Sequence, residues 1–174
     1  MLKKFFEKKI SISEAARIFM LSVFDDVKAS WNSDKETLAE YFVDTKQLND
    51  QYVQFDLALA IISLEISALK NVLPLQSNDI KAIILDIVKS TEDVGDYVYE
   101  CIQNEYLPLI KYSLEAQSNP VDDVASILWK QIIDHQEFNS LSVMVLARII
   151  GVKLGKWKQI SENYNIAYMT KTAH

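Results

Sequence analysis

The chain has 174 residues, 49% hydrophobic and 24% charged, with a net charge of −6, three Gly, three Pro, two His and one Cys. That length and apolar share suit one ordinary domain with a real buried core. So few Gly and Pro weigh against the tight turns of β-sandwiches and barrels, and two His with one Cys exclude a disulfide framework and a four-ligand Cys/His zinc site.

Taken in chain order, Lys3, Lys4, Lys8 and Lys9 open the sequence, but Glu14 and Arg17 interrupt any apolar core. The short run 18–24 ends in Asp25-Asp26 with no small-residue cleavage site, so no signal peptide is read. Ser11 followed by Glu14 has capping-box spacing, and Ile12, Ala16, Phe19, Met20, Val23 and Val27 keep a helical period to about Trp31. Asn32-Ser33-Asp34 is expected to break that helix, with a shorter one at 35–43. A long apolar helix follows over about 48–73, stopped by Pro74. Asp56, Glu65 and Lys70 divide it, and its longest uncharged run, 57–64, is far below the ~20 residues of a spanning helix.

Ser77 or Asn78 is expected to cap the next helix. Ile80, Ile83, Ile84, Ile87, Thr91, Val94, Val98, Cys101 and Ile102 then share one face across Gly95, which suggests a long element over 79–107, kinked at that glycine. Pro108 should bend or end it, with another helical piece at 109–116. Asn119 as cap, Pro120 at the first helical position and Asp122-Asp123 in the first turn make the clearest helix start. A helix over 141–150 stopping at Gly151 and a last one over 154–164 complete the set. The β-branched content of 141–150 admits a strand, but a lone strand finds no partner in the sequence, so helix is preferred. The expected fold is an all-α, single-domain bundle of six or seven helices over 1–165, with 51–73 and 141–150 most buried. Residues 166–174 have no period and are expected to form a frayed C-terminal tail.

Charge is unevenly spread. Residues 1–17 carry five basic and two acidic groups, residues 148–174 carry five basic groups and Glu162, and residues 18–147 hold 21 acids against eight Lys. An acidic body with two basic ends disfavours wholesale wrapping by nucleic acid and leaves room for one local basic patch. Arg17 and Arg148 are the only arginines, which counts against base reading.

Glu65 is the most unusual charge. Asp56, Ser63, Ser67 and Lys70 share a narrow polar stripe, whereas Glu65 lies opposite among Ala58, Ile61, Ile62, Leu69 and Val72. A carboxylate on an apolar face needs a partner, and Arg148, the one charge on another very apolar helix, is the expected one. The other reading makes Glu65 a ligand-binding or catalytic acid. Asp86, Asp93 and Glu100 recur every seven residues beside Glu92 and Asp96 and are read as a solvated acidic face. No Glu-x-x-His pair or Asp-x-Asp-x-Asp-Gly loop accompanies them, so neither metal nor cofactor is expected. Cys101 reads as inert packing, His135 as a group near a helix end, and His174 as the terminal residue. No nucleophile motif occurs, and no enzymatic activity is expected.

The sharpest pattern lies at 143–162. Leu146-Ala147 sits in a first helix, Gly151 is placed at a turn, Val152 packs inward, and Trp157 and Ile160 face inward on a second helix. Lys153, Lys156, Lys158 and Gln159 would then point outward as phosphate- and base-edge-capable groups. Over about 20 residues this spacing resembles the DNA-binding helix-turn-helix motif. The resemblance implies a small DNA-binding regulator.

Three functions follow as expectations. The first is a non-enzymatic cytoplasmic interaction protein, an adaptor or regulatory subunit that binds a protein partner or a second copy of itself. The second is the DNA-binding regulator, and the third a small-ligand-binding or enzymatic bundle built around Glu65. The absence of a signal peptide and the single Cys place the protein in the cytoplasm as an expectation.

Overall fold

The computed structural model describes residues 8–41, 48, 51–132 and 139–167. The elements are β1 (Lys8–Ser11), α1 (Ile12–Ala39), α2 (Gln51–Val72), α3 (Ser77–Lys89) and α4 (Gly95–Glu100), then a π-helical turn (Cys101–Tyr106) and α5 (Leu107–Glu115). They are followed by α6 (Pro120–Ile132), α7 (Ser140–Val152), α8 (Lys156–Asn163) and β2 (Tyr164–Ala167). Because α4, the π turn and α5 run on without a gap, the described residues form seven helical rods. The all-α bundle expected from composition is the fold.

Periodicity explains most starts and stops. Ser11 caps α1 by accepting the Glu14 N–H at 3.0 Å. Asn119 accepts the Val121 N–H at 3.1 Å at the head of α6, and Asn139 accepts those of Leu141 and Ser142 at the head of α7. At the centre is α2, which buries every residue from Leu57 to Ile66 and packs on α1, α3, the π turn and α5 through α8. By length and composition its segment Tyr52–Val72 could cross a bilayer, yet 67% of the apolar window is buried inside the fold. It is the core helix that 51–73 was expected to be.

Several boundaries differ from expectation. α1 does not break at Asn32-Ser33-Asp34 but runs to Ala39. Buried Trp31 and Leu38 hold the same face on either side, and Asp34 is engaged by Ser30 and Lys153. Tertiary contacts therefore override weak local propensity. Of the expected short helix at 35–43, residues 42–43 lie outside the described residues. Neither Ser77 nor Asn78 caps α3: Gln76 occupies that position without a side-chain cap, and the Ser77 hydroxyl donates to the Pro74 carbonyl.

The continuous element expected over 79–107 is two helices. α3 ends at Lys89, Asp93 adopts φ 67°, and α4 restarts at Gly95. The stripe from Ile80 to Ile102 is still largely buried, because both helices lay it on one core. Thr91, in the break, is exposed. Pro108 does not stop the chain either. The π turn before it sends the Leu107 N–H five residues back to the Ile102 carbonyl, a wider winding that gives the proline ring room.

The two short strands pair in parallel, Ile10 opposite Ile166. Both isoleucines are buried. The frayed tail expected over 166–174 is corrected at its start, where Ile166 and Ala167 are in β2; 168–174 lie outside the described residues. Four-residue strands carry too little alternation to stand out in the sequence. Pairing sets the two basic ends of the chain side by side.

Candidate functional site

Two regions gather the polar groups that the apolar core leaves over. The first joins α8 to α1 and α2. Glu65 is 3% exposed, and its carboxylate meets the amino end of α8. Oε1 accepts the backbone N–H of Gly155 and that of Lys156 at 2.9 Å, while Oε2 accepts that of Trp157 at 3.4 Å. No side chain of α8's own caps this end, so Glu65 supplies the cap from another helix, with its charge at the positive end of the helix dipole. The expected pairing with Arg148 is wrong. Arg148 lies on the exposed face of α7, and backbone amides satisfy the buried carboxylate instead. Fully engaged in this way, Glu65 offers little to a ligand, which removes the main support for a site built around it.

Two lysines reinforce the junction. Lys153 is 5% exposed; its Nζ lies 2.8 Å from Asp34 Oδ2 and 2.5 Å from Ser30 Oγ. Lys156 Nζ lies 2.7 Å from Asp26 Oδ2. Beside them Phe19 stacks on the fully buried Trp157, ring centroids 4.4 Å apart.

This arrangement corrects the reading of 143–162. Gly151 is helical inside α7, and the left-handed turn belongs to Gly155 at φ 94°. Val152, expected to pack inward, is 73% exposed. Lys153, expected outward, is buried against α1, because the turn comes four residues later than the spacing suggests. Lys156 is drawn to Asp26. Lys158 and Gln159 do face solvent, and Trp157 and Ile160 do face the core. α7, expected among the most buried helices, leaves Leu141, Met144, Arg148 and Val152 exposed.

Other expected residues are placed simply. Asp86, Glu92, Asp93, Asp96 and Glu100 are all exposed, although they spread over two helices and a loop instead of one helix. Among the described residues no cluster of three or more His, Cys, Asp or Glu could hold a metal ion. Cys101 is buried, and burial raises its thiol pKa. Its hydrogen bond with Tyr97, aided by burial, pushes that phenol up to about 12. Burial raises Tyr106 further, and its hydroxyl donates to Gln131 Oε1 at 2.9 Å. His135 and His174 lie outside the described residues.

The second region is an open groove of about 770 Å³ between α2, α3 and α5. Ile66, Leu107, Ile110 and Leu114 line it with apolar surface, and Gln103 of the π turn reaches it. Lys70, Lys81 and Lys111 line it from three different helices, with Glu115 as the one acid. Lys111 and Glu115 are 3.8 Å apart and largely exposed. Neither Lys70 nor Lys81 forms an ion pair among the described residues. Leu114 stands 56% exposed at the edge. Only Lys70 and Ser67 carry any signal in the sequence, as part of the polar stripe of α2. Lys81 and Lys111 are 11 and 41 residues further on, so nothing local could announce that they converge. No protein-family model, curated protein or solved structure matches the chain.

Proposed function

We propose that the protein is a non-enzymatic, cytoplasmic helical interaction protein, an adaptor or regulatory subunit whose groove between α2, α3 and α5 receives a protein partner. The observation that carries this reading is the groove itself: an apolar lining that reaches solvent at Leu107 and Leu114, beside Lys70 and Lys81, which have no ion-pair partner among the described residues, on a body whose buried charged groups are consumed internally. Glu65, Lys153 and Lys156 serve the packing of α8, which leaves the groove as the better-equipped surface.

The test is an affinity pull-down from source lysate treated with nuclease, comparing the native chain with Leu114→Arg. A protein retained by the native chain and lost with Leu114→Arg supports the reading. Retention indifferent to that substitution overturns it. Self-association, the other form of partner binding expected, has a natural face in the exposed Leu141, Met144 and Val152 of α7. Light scattering of the native chain and of Met144→Glu measures it.

The nucleic-acid reading keeps one supporting observation. Pairing of β1 with β2 unites the two basic ends, where Lys8, Lys9 and Lys158 are exposed. It requires retention on duplex DNA that falls steeply with salt and weakens when Lys9 and Lys158 become Ala.

A further inference from the structure

We infer that the groove between α2, α3 and α5 takes an acidic amphipathic helix of a partner protein, an inference that rests on the interaction reading above and names the chemistry of the partner. Charge is the first argument. Residues 18–147 hold 21 acids and only eight Lys, yet three of those lysines, Lys70, Lys81 and Lys111, line this one groove. They come from α2, α3 and α5, so the fold and not a local run gathers them. Glu115 offsets one, and Lys70 and Lys81 remain without an acidic partner among the described residues. An excess of cations in an otherwise acidic body draws an acidic segment and repels a basic one.

Shape is the second argument. Leu107, Ile110 and Leu114 fall at i, i+3 and i+7 on α5 and make an apolar ridge whose accessible part is the exposed Leu114 and the half-buried Leu107, above a floor of the buried Ile110 and Ile66. Walls made of helices and an open top fit a helix laid lengthwise, whose apolar stripe meets that ridge while its flanking carboxylates reach the lysines. The amino end of α3, at Ser77 and Asn78, opens on the same groove without a side-chain cap.

The probe is a displayed library of random peptides of about 16 residues, long enough for four helical turns. It is selected on the native full-length chain and counter-selected on Leu114→Arg. Enriched peptides are expected to carry Asp or Glu beside apolar residues at i, i+3 or i+4, and i+7. Their affinity is expected to drop about tenfold or more when Lys70, Lys81 and Lys111 become Glu, and to weaken with salt. Circular dichroism of the native and substituted chains verifies that both are folded.

Enrichment of basic or non-periodic peptides overturns the inference, as does binding indifferent to the three charge reversals. An absence of enrichment, accompanied by a groove-dependent melting shift with oleate, also overturns it and assigns the groove to anionic lipids. If the pull-down still depends on Leu114 while the library yields no acidic helix, this inference falls and the interaction reading stands. If the pull-down is indifferent to Leu114, the interaction reading falls as well.

Discussion

Glu65 Oε1 accepts the backbone N–H of Lys156 at 2.9 Å, joining the middle of α2 to the first turn of α8. With Gly155 and Trp157 donating to the same carboxylate, a charge buried in the core is balanced by a helix end. Glu65→Gln retains one acceptor oxygen but loses the charge, and is expected to cost about 1–2 kcal/mol. Glu65→Ala strands the amides and is expected to cost about 3 kcal/mol. Arg148→Ala should stay within about 0.5 kcal/mol, since that side chain is exposed. Urea unfolding of the three variants checks the ranking, and an Arg148→Ala as costly as Glu65→Gln would reinstate the salt bridge.

The two lysines at the same junction should differ in weight. Lys153 and Asp34 are 5% and 14% exposed as side chains, whereas Lys156 and Asp26 are 12% and 40% exposed. Asp34→Ala leaves a buried ammonium with only a hydroxyl and is expected to cost about 3 kcal/mol. A double-mutant cycle with Lys153→Met should return a coupling of about 2 kcal/mol, and the Lys156–Asp26 cycle less than about 1 kcal/mol. Equal couplings would mean that burial does not set the strength of these pairs.

The contrast between Lys153 and Glu65 also marks how far the sequence can be read. The apolar position of Glu65 is visible there, because period alone puts Ala58, Ile61, Ile62 and Leu69 around it. Its partner is not, because backbone N–H groups carry no residue identity. Lys153 reads as a surface lysine on a basic helix. Its burial depends on Asp34, 119 positions away, in a helix that local propensity would have ended. The groove is hidden for the same reason: Lys70, Lys81 and Lys111 have ordinary neighbours until three helices bring them together. The stripe from Ile80 to Ile102 shows the opposite fault. Its burial is legible and its continuity is not, since a helical period can persist by coincidence across a break such as Ser90–Val94.

Alkali should destabilise the protein through its buried phenol, Tyr106. Burial, followed by Asp56, Cys101, Glu105 and Tyr97, raises Tyr106 above its ordinary 10.0. Below that pH the phenol is protonated in both states and contributes no pH dependence. Above it the unfolded chain gives up the proton first, so stability falls as pH rises, by at most about 1.4 kcal/mol per pH unit for one tyrosine. Tyr106→Phe loses the hydrogen bond to Gln131 and should be less stable near neutrality, with a shallower decline between about pH 10 and 11. Urea unfolding at stepped pH measures both slopes, and identical slopes would remove Tyr106 as the cause.

The three glycines offer a separate test, because two are required by the structure for different reasons and the third is not. At Gly95 a Cβ would strike the Lys89 carbonyl, backbone that cannot move aside. Gly95→Ala is therefore expected to cost about 1–3 kcal/mol. Gly155 sits at φ 94°, just ahead of the amides that Glu65 accepts. An alanine there strains the backbone by about 1–2 kcal/mol and disturbs that cap, although its Cβ would meet nothing within 4 Å. Gly151 is helical, and a methyl group added there would also meet nothing within 4 Å, so Gly151→Ala should stabilise by about 0.5–1 kcal/mol. The sign at Gly151 is decisive for 143–162. A helix-turn-helix pivoting on Gly151 needs that glycine's left-handed freedom and would be damaged by alanine. The turn formed by Gly155, with Lys153 buried and Val152 exposed, gains from the same change. Thermal melts of the three alanine variants distinguish the two geometries.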